Sequence, residues 1–285
     1  MALTINTNIS SLVAQQNLAK ATSSLNKAIE RMTTGYKINH AADNAAGYSI
    51  AKNWETQLSS LDVAADNAAT GADMMTTLED HYSLVSSHLQ RVRDLTEQAA
   101  NGTYGSSSLK AIKAEIAARL DEVDRVTSNC EFNGRKLMDG SITSDINLQV
   151  GLYSGADSQI ALDSSLFANA NVATLFGEDK ANVASKCAGL TEGTEAASML
   201  DRIDDVIKNI SNRTTTLGAA QNRIESAIES IGVQSQNITS SLSTLRDADV
   251  ASESSKYIQS QILQQAAATL LATANQTPSI ALNLL

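Results

Sequence analysis

Few residues in this chain have the types and spacing that could do chemistry. His81 and His88 lie seven positions apart on one helical stretch, with Glu79 and Asp80 beside the first. Imidazole and carboxylate groups could hold a divalent metal. Two ligands two helical turns apart, however, are too distant to share one ion, so both read as ordinary surface or seam histidines. Cys130 and Cys187 are far apart in sequence, with no Cys or His at metal-ligand spacing around either. They read as two separate thiols in mostly packed positions. A disulfide is the alternative, and spacing alone does not test the geometry it needs. H-E-x-x-H, G-x-S-x-G and phosphate-loop patterns are all absent. Asn101-Gly102-Thr103 fits the N-x-S/T triplet, which chance supplies in a chain this rich in Asn, Ser and Thr. No catalytic, cofactor or metal site is expected, and no enzyme activity.

The elements that would position such groups are long helices. The 285 residues include one Pro, three Phe, six Tyr and one Trp. A globular enzyme of this length usually carries more aromatics for its core and more Pro for its loops. A formal charge of −10 excludes a broad nucleic-acid surface, which needs clustered Lys and Arg. The opening MALTINTNISSLVAQQNLAK has no basic leader, apolar run or small-residue cleavage site, so a general secretory signal is not expected. No window of 18 apolar residues exists, so no membrane insertion is expected.

A first helical pattern runs from about Ser10 to Met32, with Leu12, Leu18, Ala21, Leu25, Ile29 and Met32 on one face and Gly35 as a stop. A second covers about 49–100. Its stretch from Leu58 to Ala100 alone would be about 65 Å long, and Asn101-Gly102 ends it. A third, about 108–130, carries Leu109, Ile112, Ile116, Leu120, Val123 and Val126 and closes near Asn133-Gly134. The period then changes to two: Ile146, Leu148, Val150 and Leu152, a turn at Ser154–Asp157, then Ile160 and Leu162. This predicts one β-hairpin over about 145–163. Residues 166–194 are weakly patterned and read as loops with short turns. In the fourth helix, about 196–245, Ile203, Ile210, Leu217, Ile224, Ile231, Ile238 and Leu245 recur at seven-residue steps. That regularity predicts a coiled-coil seam. A fifth helix runs from about Asp247 to Ala274 and is expected to end before Pro278.

Residues 1–19 and 257–285 contain no charged side chain. Chain ends are normally polar and frayed. These ends are amphipathic, with polar faces of Gln, Asn, Ser and Thr, and charge depletion of that kind marks the centre of an interface. Isolated helices of this sort are marginal in water. The two ends are therefore expected to pair with each other and then with sister copies, and to be largely unfolded in a free monomer. The bland alternative is that both dock on their own domain.

The run INTNISSLVAQQNLAKATSSLNKAIERMTTGYKINHAADNAAGYSIA resembles the bacterial flagellin N-terminus, including its D-x-A-A-G turn. LQRVRDLTEQAANGTYG and EIAARLDEVDRVTSNCEFNGRKLMDG resemble the next two flagellin segments, the latter with an F-N-G loop. LRDADVASESSKYIQSQILQQAAATLLATANQTPSIALNLL is similar to the flagellin C-terminus, with its D-A-D, Q-I-L-Q-Q-A and A-N-Q-x-P motifs. Together these cover roughly 200 of the 285 positions, in the family's order. Trp54 stands where the family often has Phe, Glu97 where an apolar residue is common, and two cysteines are unusual for it.

The resemblance implies a mainly α fold: a long antiparallel helical coiled-coil rod with one small β-hairpin and the terminal helices paired in an inner-core domain. The implied division is 1–44 and 246–285 for the inner core and 45–245 for the rod, without outer domains. It implies a secreted, extracellular subunit that self-polymerises into the flagellar filament for motility. The implied partners are copies of itself, the flagellar export apparatus, a chaperone, a cap protein and a host Toll-like receptor for flagellin. Gln90, Arg91, Leu95 and Glu115 match the family's receptor and subunit-packing positions, with Leu95 as apolar anchor. Inner-core assembly is expected to use Leu12, Leu18, Leu25, Ile258, Ile262, Leu263 and Leu270. The rival readings are a hook-filament junction protein and a flagellin carrying an enzyme in its outer region. The motif-free stretch from Ser141 to Glu195 argues against the latter.

Overall fold

A computed structural model describes residues 7–189 and 195–282, with side chains through Gln276. The order is helix α1 (Ile9–Thr34), α2 (Ala45–Ala100), α3 (Ser106–Asn129), strands β1 (Glu131–Phe132), β2 (Arg135–Lys136), β3 (Ile146–Gln149) and β4 (Gln159–Leu162), then α4 (Val172–Phe176), α5 (Lys180–Cys187), α6 (Glu195–Arg246) and α7 (Val250–Leu282). The fold is mainly α, as the residue periodicity implied, with strands only in two small antiparallel pairs among the described residues. The chain divides into two compact units. One takes 1–58 and 236–285, the other 59–235, so each unit owns part of α2 and part of α6.

Local chemistry explains the helix ends. The side chain of Asn8 caps α1 by accepting from Ser11 N–H at 3.1 Å, and Gly35, at φ 75°, closes it. Asn44 accepts from Gly47 N–H at 2.9 Å in the first turn of α2, and Asp249 accepts from Ala251 N–H at 2.9 Å at the start of α7. Asn171 and Asp179 cap α4 and α5 in the same way.

The central unit, 59–235, buries one apolar cluster. From α2 it takes Met75, Leu78, Tyr82, Val85, Leu89, Val92 and Leu95, from α3 Ile116, Leu120 and Val123, and from α6 Ile203, Ile210, Leu217 and Ile224. Fully burying one Leu or Ile contributes about 1.5–3 kcal/mol, so the repeated α2, α3 and α6 positions hold this unit together. Its one large polar group is satisfied: the Tyr82 hydroxyl donates to the Leu166 carbonyl at 2.8 Å. The α2–α6 pair runs antiparallel, with Gln221 donating to Glu79 at 2.8 Å and Arg93 to Asp204 at 2.5 Å.

The hairpin pairs Ile146 with Leu162 and Leu148 with Ile160, within the expected span. It approaches α2 at Gly71, where an added Cβ would clash with Leu148 Cδ1. Three expectations need correction. α3 stops at Asn129, and Asn133-Gly134 is instead the tight turn of the β1–β2 pair, with both residues at positive φ, the pattern of a type I′ hairpin. Residues 166–189 are not loops: Phe167, Val172, Phe176, Val183 and Ala184 enter the core from a 3-10 turn, α4 and α5, while Leu190–Thr194 lie outside the described residues. The last helix continues through Pro278 to Leu282 rather than ending before it.

Candidate assembly interface

In the terminal unit α1 and α7 lie antiparallel, and the seam between them is built from small residues. Ala14, Ala21 and Ala28 step by seven along α1, and Glu253, Ser260 and Ala267 step by seven along α7. All six are buried. Leu18, Leu25 and Met32 fill the intervening seam positions and are half-buried. This is the two-helix coiled-coil periodicity with alanine where bulk would normally sit. A ladder of polar contacts fixes the register. Asn8 Nδ2 donates to the Ala274 carbonyl at 2.7 Å, the Ser11 hydroxyl to Asn275 Oδ1 at 2.7 Å, and Gln264 Nε2 to the Thr22 hydroxyl at 3.1 Å. At the far end Arg31 meets Glu253 at 3.4 Å. Glu253 also accepts from Lys256 at 2.7 Å, and that bond, with Arg31, holds its carboxyl below the ordinary range against the opposing effect of burial.

The large apolar side chains do not enter this seam. Leu12 and Leu270 are 61% and 65% exposed, and Ile9, Val13, Ile29, Ile258, Ile262 and Leu263 are exposed as well. Of the expected inner-core residues, therefore, Leu18 and Leu25 sit in the intramolecular seam. Leu12, Ile258, Ile262, Leu263 and Leu270 face outward. The expected single face of α1 through Leu12 and Ile29 is corrected to the Ala14–Ala21–Ala28 line, because a close helix–helix approach selects small residues. The periodicity of small residues at 14, 21 and 28 was the signal available in the sequence. A search for bulky apolar positions passes over it.

The groove along this pair, about 640 Å³, is lined by Lys20, Lys27, Arg31, Lys256, Leu263 and Leu270 among others. Nothing in it resembles a catalytic constellation. Among the described residues no three His, Cys, Asp or Glu side chains converge on a metal-sized point. No described helix is long and apolar enough to cross a membrane.

In the central unit, Ile203, Ile210, Leu217, Ile224 and Ile231 are buried along α6. Ile238 and Leu245, in the terminal unit, are half-buried. Arg91 donates through Nε and a terminal nitrogen to Glu115 Oε1, at 3.1 and 2.8 Å, and Gln90 is exposed beside it. Leu95 departs from its expected role. It is 2% exposed, inside the apolar cluster rather than on the surface beside Arg91. Cys130 and Cys187 are separate, buried thiols rather than a disulfide, and burial pushes each up to about 11.

The chain matches the bacterial flagellin N-terminal helical region over residues 5–143 and the bacterial flagellin C-terminal helical region over residues 200–285. It is 33% identical to a flagellin of Halalkalibacterium halodurans, with 99% of both chains covered. The chain belongs to the bacterial flagellin family. A Bacillus subtilis flagellin is 32% identical, again over 99% of both chains. A putative flagellar hook-associated protein from Vibrio parahaemolyticus shares the fold, with a TM-score of 0.60 at 16% identity over 72% of this chain and 100% of that one. Flagellin is a structural family and not an enzymatic one. Residues 144–199, between the two matched regions, hold the β3–β4 hairpin, α4 and α5 of this flagellin family member.

Proposed function

We propose that this chain, a structural subunit of the flagellar filament, adds to its neighbours through the outward apolar faces of α1 and α7. The observation that carries this is the split between the two kinds of surface on one helix pair. Alanines make the contact inside the chain, while Leu12, Ile258, Ile262, Leu263 and Leu270 stay in solvent. At about 25 cal/mol per Å² of apolar area, covering a row of such side chains along each helix repays the cost of ordering them only when a second subunit arrives. Flagellins form the extracellular filament, and for this chain the route is export through the flagellar apparatus, with a chaperone, and addition beneath a cap protein. The uncharged ends support that reading, since a chain with such ends is best kept from its sisters until it reaches the tip. The exposed Gln90 and the Arg91–Glu115 pair form a polar face for packing between subunits and for a host Toll-like receptor, with Leu95 supporting that helix from within.

The test is electron microscopy of concentrated protein beside the double variant Ile262→Ser/Leu270→Ser. The parent should form long filaments, and the variant should stay monomeric with the thermal midpoint of the parent monomer. A parent that forms only short, non-propagating caps would favour the junction-protein reading instead.

A further inference from the structure

Two short linkers join the terminal helices to the rest of the terminal unit: 35–44 between α1 and α2, and 247–249 between α6 and α7. They are bonded to each other. Lys37 N–H donates to the Arg246 carbonyl at 2.7 Å and Ala248 N–H to the Gly35 carbonyl at 2.8 Å, which makes Tyr36 and Asp247 partners in an isolated antiparallel bridge. Lys37 Nζ donates to the Thr244 carbonyl at 2.8 Å and satisfies one of the free carbonyls at the end of α6. One side chain crosses this bridge. The Arg246 guanidinium lies 4.1 Å from the centre of the Tyr36 ring and is ion-paired to Glu55 on α2, with only 15% of its side chain exposed. Lys52 holds Glu55 from its other side at 2.7 Å.

From this arrangement we infer that Arg246 is a positioning residue for polymerisation: it fastens the two linkers into one strap, so that α1 and α7 leave α2 and α6 as a single paired element. The inference rests on the filament reading above. Its physical basis is that α1 and α7 share a seam of small side chains, which holds them weakly. Their relative placement is therefore set as much at their roots as along their length. Arg246 touches the first linker by its side chain and backbone, α2 by its charge, and the second linker through its own position in the chain. Arginine suits this role because its planar cation can stack on a ring while its edge meets a carboxylate. Lysine at 246 would keep the charge and lose the stack.

The strap can be opened and closed on one polypeptide. Tyr36 and Asp247 are partners of the non-hydrogen-bonded kind, whose Cα atoms lie about 4.5 Å apart, within disulfide range. The experiment compares Tyr36→Cys/Asp247→Cys, reduced and oxidised, with Arg246→Met and the parent. It measures the critical concentration for elongation on parent filament seeds and the helicity of each monomer. Reduced Tyr36→Cys/Asp247→Cys and Arg246→Met should raise the critical concentration at least about tenfold, the size expected for losing a partly desolvated cation–π contact. Their monomer helicity should stay at the parent level. Oxidation should restore the parent value. Equal elongation by the reduced, oxidised and parent proteins would overturn the strap, as would oxidised protein that fails to elongate. A parent that does not elongate at all would refute the filament reading itself.

Discussion

Cys130 and Cys187 illustrate how far a single residue can be read. Their separation and their packed positions were legible, but the elements that bury them were not, because the hairpin turn after α3 and the helix α5 carry weak patterns. With both thiols pushed up to about 11 by burial, thiolate is scarce near neutral pH and access is closed. Native protein at pH 8 should react with a maleimide far more slowly than unfolded protein, and both sites should label on unfolding. Rapid native labelling would place at least one outside the core. Glu253 gives the pH counterpart. Its carboxyl, hydrogen-bonded by Lys256 and facing Arg31, sits below the ordinary value of 4.5. A depressed carboxylate stabilises the fold above its unfolded pKa, and that contribution is lost as pH falls through the folded value. Glu253→Gln should therefore weaken the α1–α7 pair at neutral pH and make progressively less difference as the pH falls below 4.5. A thermal-melt series from acid to neutral checks this, and parallel curves for the two proteins would contradict it. Leu95 was misplaced for a simpler reason: a motif match gives the identity of a residue, and only the elements packed around it decide whether it is buried.

Helices α2, α3 and α6 were readable because large apolar residues mark their buried faces at helical or heptad spacing. The prediction for α6 is direct. Ile224→Asp puts a carboxylate without a partner into a fully buried position and should cost about 4 kcal/mol, seen as a lower unfolding midpoint of the central unit. A soluble variant with an unchanged midpoint would mean the seam is assigned to the wrong face. Helices α1 and α7 were readable as a pair, but the positions of their contact were not, because that contact uses alanine, serine and one buried glutamate. Bulk there should be harmful. Ala21→Leu overpacks the seam and should cost about 1–3 kcal/mol, whereas Leu12→Ala, on the exposed face, should leave the monomer's melting unchanged and impair only assembly. Hydrogen-exchange rates of α1 and α7 in sedimented polymer separate the two effects, and equal behaviour of both variants would remove the distinction between inner seam and outer face.

For the molecule as a whole, absence of charge was the most informative property of the sequence. It pointed to the two ends as the proposed assembly surface before any helix was placed, since 1–19 and 257–285 lack a single charged side chain. The pairing register, the strap through Arg246 and the outward aim of Ile262 and Leu270 depend on contacts between residues more than 180 positions apart. Local patterns do not encode such contacts. On the filament reading, apolar surface left open by one chain is closed by its sisters. The most direct measurement is amide hydrogen exchange of α1 and α7 in dilute monomer and in sedimented polymer. Fast exchange in the monomer and slow exchange in the polymer, with the α2–α3–α6 core slow in both, is the predicted result. Equal protection of α1 and α7 in the two states would contradict it.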